Sequence, residues 1–160
     1  MDIVSILTKV GYAALACIAI GLLIGVHEFG HFISAKLMGV RVDVFSIGFW
    51  KALASWKIGE TEYKICIIPL GGYVKLAGEE RPAKLAEVEA KSEEEGEPVE
   101  LPEPKPDEFF GKPWYQRIIV FAAGATMNII FGMLAFIIAY AIGVPFIKPL
   151  VGDTEVDSPA

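Results

Sequence analysis

The 160-residue sequence is short of several things. It has two cysteines, Cys17 and Cys66, and two histidines, His27 and His31. Cys17 falls within a long apolar run and Cys66 outside it, so the two sit at different depths. That separation, and the reducing compartment assigned to Cys66 below, argue against a disulfide. Both read as small buried apolar residues rather than reactive thiols. No basic stripe with interleaved aromatics is present, which excludes nucleic acid as a partner. No internal repeat occurs. Charge is missing altogether from two stretches, Val10 to Val26 and Ile118 to Ile147.

Those uncharged stretches raise the mean hydropathy to +0.50, too high for an ordinary soluble domain. With Ile3 to Leu7 in front of it, the first reaches membrane-spanning length. Each can cross ~30 Å of hydrocarbon as a helix of about 20 residues. Two buried core helices are the alternative, but little else remains in the chain to bury them. A signal peptide is excluded for the first run. Only Lys9 precedes it closely, and no small-x-small cleavage site follows it.

The net charge of −6 is not spread evenly. Acids concentrate between Glu79 and Glu108, in a Glu- and Pro-rich segment without aromatics. That composition reads as a solvated, disordered linker. Lys36, Arg41 and Lys51 follow the first run, and Lys112 and Arg117 precede the second. By the positive-inside bias, the 39–117 loop is cytoplasmic and both termini face outward.

The fold class expected is a mainly α membrane protein. Residues 1–38 hold a first spanning helix, with about residues 5–37 helical and a stop near Gly39. Residues 39–78 alternate apolar and polar in "VRVDVFSIGF" and are β-rich in "TEYKICIIPLGGYVKL". They predict a small membrane-associated hairpin or sheet of three or four strands. The acidic linker takes 79–108. Residues 109–147 form the second spanning helix, with Trp114 and Tyr115 as interfacial aromatics and Gly143 and Pro145 as its stop.

The first run closes on "HEFGH". On a helix, His27 and His31 lie one turn apart on one face and can offer two nitrogens to one ion at ~2.0–2.1 Å. Glu28 is turned about 100° from that line and suits a general base acting on metal-activated water. Zinc is the cofactor this pattern predicts. HExxH alone also recurs by chance in helices, with its histidines merely hydrogen-bonded or exposed. Ionisable groups at the end of a span are costly and point to function. Gly30 removes side-chain bulk beside this face. A third ligand is not evident, and Asp43, the nearest downstream acid, lies in the strand pattern.

At "GVHEFGHFISAKLMGVRVDVFSIGF", "TEYKICIIPLGGYVKLAGE" and "FFGKPWYQRIIVFAAGATMN" the chain resembles the site-2 proteases. These are intramembrane zinc metalloproteases, and the likeness is to the PDZ-containing bacterial type that regulates sigma factors. The resemblance implies zinc held by His27 and His31, Glu28 as catalytic base, and a third ligand from an "LDG"-type motif that this sequence lacks. It implies an inner-membrane, multi-pass protein that cuts transmembrane segments of substrates such as anti-sigma factors. It makes residues 148–160, which end in "VGDTEVDSPA", the start of a PDZ-like domain, and the chain an N-terminal part that is inactive alone. Relatives commonly carry "AGPxxN" where this chain has "AGATMN", so Ala125 stands for a proline while Asn128 matches.

An extended substrate can be captured on a strand edge by main-chain hydrogen bonds. Tyr63, Ile65, Ile67, Gly71, Gly72 and Asn128 are the candidate substrate-binding residues. Plain sheet packing, a turn at Gly71-Gly72 and a packing role for Asn128 are the competing readings. Two other functions fit the same sequence: a non-catalytic membrane scaffold, and a metal-binding membrane protein such as a transporter component. Glu28 beside the histidines favours hydrolysis over both, and the absence of ionisable groups from the second run disfavours transport.

Overall fold

A computed structural model describes residues 2–95 and 103–143. Helix α1 spans Ile3–Leu37, strand β1 Val42–Ile58 and strand β2 Thr61–Leu76. Helix α2 spans Arg81–Glu95, a short 3-10 turn Phe109–Gly111, and helix α3 Trp114–Ile142. The expected PDZ-like start at 148–160 lies outside the described residues.

Apolar residues run all round α1 and α3, and such helices are either deeply buried or surrounded by lipid. Only 6% and 11% of their most apolar windows are covered by protein. The rest of the described chain does not bury them, and the architecture fits a membrane protein, mainly helical. Helix α1 stops where the sequence predicts. Gly39 takes φ +68°, and the Val40 N–H reaches back to the Ala35 carbonyl at 2.8 Å. This satisfies a carbonyl at the helix end with a residue that tolerates the left-handed conformation. Helix α3 ends at Gly143 with φ +101°, its N–H on the Ala139 carbonyl.

The two strands are antiparallel but irregular, with repeated register shifts. Val44 to Ile47 have partners on both sides, one set near Gly72–Lys75 and the other at Glu62–Ile65. Residues 62–65 in turn also pair with 54–57. The sheet thus has two long strands lying as four adjacent segments, where three or four separate strands were expected. Phe32 of α1 packs on Phe45 with ring centroids 4.9 Å apart, and Phe45 lies 6.2 Å from Tyr63. These aromatics fasten the sheet to the helix. A small core of Ala35, Val40, Val42, Leu76 and Val120 joins the end of α1, the sheet and the start of α3.

The sheet also runs back along α1 toward its N-terminus. A Cβ placed at Gly21 would lie 2.5 Å from the Pro69 carbonyl oxygen, so the backbone of β2 touches the helix there. Gly21 precedes His27 by about 9 Å of helix rise. Cys66 is buried with its sulfur 3.3 Å from the Ser46 hydroxyl, as expected. Cys17, expected buried, instead faces outward from α1.

The acidic segment departs from expectation. Arg81–Glu95 is helical. Apolar content alone is a poor guide here, because "RPAKLAEVEAKSEEE" is rich in Glu, Ala and Lys, all strong helix formers, with Pro82 in the first turn. Glu80 anchors the start of α2, with Lys75 at 2.6 Å and Lys84 at 3.5 Å. The far end of the segment is docked as well. The Arg41 N–H donates to the Asp107 carbonyl at 2.8 Å, and the Arg41 guanidinium meets the Asp107 carboxylate at 2.7 Å.

Candidate metal and catalytic site

Three faces meet around the histidines. Helix α1 supplies His27, Glu28 and His31. Helix α3 supplies Val120, Gly124 and Asn128, which recur every four residues and so share one face. The third face is the last segment of β2. Gly30 shows why the helices come so close: a Cβ there would lie 2.5 Å from the Ala123 carbonyl oxygen. Its lack of a side chain thus serves the helix crossing, which adds to the sequence reading of reduced bulk near the site.

The two imidazoles converge. Their Nε2 atoms are 3.2 Å apart, with rings nearly perpendicular at 77°. Two nitrogens bound to one zinc at 2.0–2.1 Å in a tetrahedron lie about 3.3–3.4 Å apart. The His31 ring is fixed from behind, its Nδ1–H donating to the Val120 carbonyl at 2.7 Å. In neutral His31 this leaves Nε2 as a bare lone pair facing the site. His27 Nδ1 lies 3.4 Å from the Asn128 amide. Gly124 keeps the opposite wall open. A Cβ there would sit 2.5 Å from His31 Nε2 and 2.6 Å from His27 Nε2. The donor chemistry, the spacing and the space kept clear at Gly124 all fit a zinc ion at these nitrogens.

Glu28 lies beside this point. Its Oε2 accepts the Val74 N–H at 3.1 Å. The next amide on the same strand edge, Leu76 N–H, donates to Glu79 Oε2 at 3.1 Å. Alternate amides of a strand point the same way, and on this edge the Val74 and Leu76 donors are taken up by the carboxylates of Glu28 and Glu79. A cleft of about 410 Å³ opens there, with Glu28, His31, Val74, Leu76, Glu79 and Val120 in its lining.

The other candidates fall in different places. Asp43 is engaged by Arg41 at 3.1 Å and is not brought to the histidines. Among the described residues no group of three or more His, Cys, Asp or Glu converges as metal ligands, so two candidate nitrogens meet here where a catalytic zinc usually takes three protein ligands. Tyr63 and Ile65 have strand neighbours on both sides, which removes their main chain from the free edge. Ile67 is half exposed on the sheet surface. Gly71, with φ +111°, packs under Phe49 and Ile24, and Gly72 sits against the Ser46 carbonyl. The edge amides facing the site belong to Val74 and Leu76. Sequence reasoning missed these and the Val120 carbonyl because all three act through main chain. Gly124 was detectable by counting back four residues from Asn128.

Outside the spans, Arg41 is held above its ordinary range by its hydrogen bond to Asp43 and by the nearby Asp107 charge. Glu80 is held below the usual carboxylate range by Lys75, with a further pull from Lys84.

The model of peptidase family M50 matches residues 15–158. The chain is 44% identical over 145 residues to "Regulator of sigma-E protease RseP" of Escherichia coli K12, covering 88% of this chain and 28% of that protein. It is 42% identical over 144 residues to "Protease RseP" of Yersinia pestis, covering 88% and 28%. It is 41% identical over 134 residues to a Chlamydia pneumoniae protein named "Putative zinc metalloprotease", covering 82% and 20%. The chain thus spans less than a third of these relatives' length. With the matched region taking in the spans, the sheet and the HEFGH site, this chain belongs to peptidase family M50, the site-2 proteases.

Proposed function

We propose that this is a zinc-dependent intramembrane endopeptidase that hydrolyses membrane-spanning segments of other proteins. The observation that carries the reading is the convergence of His27 and His31 on one point, 3.2 Å apart at Nε2, with Glu28 and a strand edge beside it. The names of the relatives, with their sigma-E proteases and zinc metalloprotease, support the reaction class and the metal.

His27 and His31 would hold the zinc, with a third ligand from outside the described residues. When bound, the ion supplies Lewis acidity, polarising a peptide carbonyl and making water acidic near neutral pH. Glu28 takes the proton of the attacking water and returns it to the leaving amine. Its tether to Val74 N–H fixes the carboxylate beside the cleft. The cleft beside the end of β2 receives the substrate in extended form, because a helical backbone hides the carbonyls that must react. Ile67, Gly71 and Gly72 continue that surface away from the site. The protein lies in the inner membrane with its 39–117 loop in the cytoplasm. Its substrates are membrane-anchored regulators of the anti-sigma kind.

Glu28→Gln tests the assignment in the full-length protein. Zinc content is retained and cleavage of a transmembrane substrate falls by about 10²–10⁴-fold, the usual share of a general base. His27→Ala and His31→Ala each lose both. Proteolysis that survives Glu28→Gln removes the carboxylate from the mechanism.

A further inference from the structure

The Asn128 amide is the least satisfied polar group beside the histidines. Its Oδ1 is buried without a hydrogen-bond partner, while its Nδ2 faces His27 Nδ1 at 3.4 Å. The two ends of a side-chain amide are nearly the same shape, and which one faces a neighbour is decided by the network. Here the network gives an answer once His27 serves as a ligand. A neutral imidazole that offers a lone pair at Nε2 carries its proton at Nδ1. Nδ1 is then a donor, and it needs an acceptor. An NH₂ group cannot accept. Turning the amide over by 180° places Oδ1 against Nδ1–H and gives the orphaned oxygen its partner.

His31 supplies the comparison. Its Nδ1–H already donates to a fixed acceptor on α3, the Val120 carbonyl at 2.7 Å. Asn128 lies eight residues on from Val120, two turns along the same face, and reaches the second imidazole. We propose that Asn128 is a positioning residue that accepts the His27 Nδ1–H through Oδ1 and so locks the ligand tautomer of His27. Both ligands are then oriented from one helix, by a main-chain carbonyl at one and a side-chain carbonyl at the other. Such partners hold ring orientation and raise ligand basicity, and their loss typically costs about 10–100-fold in metal affinity. This inference rests on the metal reading given above. It departs from a substrate contact for Asn128, since the amide is spent on the ligand.

The test uses the full-length protein and two variants that separate accepting from donating. Asn128→Leu keeps the size and removes both functions. Asn128→Asp keeps the acceptor and removes the donor. Zinc affinity, measured by competition with a chromophoric chelator, falls by about 10–100-fold in Asn128→Leu and is held in Asn128→Asp. A second readout follows ring protons by NMR on zinc-loaded, ¹⁵N-histidine-labelled protein. In Asn128→Leu the His27 Nδ1–H signal exchanges rapidly with water, while that of His31, held by Val120, persists and reports an intact fold. Unchanged zinc affinity and a slowly exchanging His27 proton in Asn128→Leu overturn the inference. So does an Asn128→Asp variant as weak as Asn128→Leu. Wild-type protein that takes up no zinc overturns the metal reading itself, and is distinguished by the unmutated control.

Discussion

Gly124→Ala is the substitution that most directly tests whether the space between the imidazoles is kept for an ion. A methyl carbon at 124 would meet His31 Nε2 at 2.5 Å, His27 Nε2 at 2.6 Å and His27 Cε1 at 2.7 Å. The shortest of these is about 0.9 Å inside the 3.4 Å at which ordinary contact begins. His31 cannot retreat freely, because its Nδ1 is bonded to Val120 one turn away on the same helix. Metal–ligand distances tolerate only about 0.2 Å. Zinc affinity therefore drops at least about 10–100-fold, as for a lost ligand-orienting partner. Helix propensity favours alanine over glycine by about 1 kcal/mol, whereas overpacking costs about 1–3 kcal/mol. The net cost is at most about 2 kcal/mol, within what a folded domain withstands, so the larger loss appears in binding. Gly132→Ala is the control: it lies on the same helix with nothing within 4 Å. Zinc titration and thermal unfolding in detergent, run side by side, read the two effects. Wild-type zinc affinity in Gly124→Ala refutes the idea that this gap is a metal seat.

Two further outcomes bear on the scaffold. Gly21→Leu pushes the Pro69–Gly71 backbone off α1. It lowers substrate cleavage while zinc affinity at His27 and His31 is unchanged, and equal loss of both rejects the separation between docking and metal site. Glu80 has a folded-state pKa below its unfolded one, so the stability it contributes is present above about pH 4.5 and is lost as pH falls below that value. Hydrogen exchange in the first turn of α2 accelerates in that acidic window, and Lys75→Ala weakens the pH dependence, leaving the smaller part due to Lys84. The effect is small, because both partners are about half exposed and salt screens them.

Much of the site was legible because it depends on helix geometry. His27 and His31 are four apart, and nothing later in the chain can alter the face they share. Gly39 and Gly143 stop their helices because the φ values they adopt suit glycine. The sheet was harder. Alternation in "VRVDVFSIGF" marks a strand but not its neighbours, and Val44 turned out to have partners on both sides. The free edge was therefore expected near Tyr63 and found at Val74, since edge or interior is decided by the whole register. Arg81–Glu95 went unread for a different reason. Its helix rests on local propensity and on the Glu80 ion pairs, with little apolar burial to leave a periodic trace.

The close approach of β2 to Gly21 has a bearing on lipid. Acyl chains cannot cover that flank of α1 near the Pro69 carbonyl, because a ribbon of peptide groups already occupies it. Peptide groups at such depth persist only against protein or in a wetted cavity. Ile18, Leu22, Val26, Phe29, Phe45 and Ile47 line the space beside that contact, so on this side the sheet presents apolar side chains as a sleeve around the helix. The polar opening lies farther along β2, where Glu28 and Glu79 line the cleft.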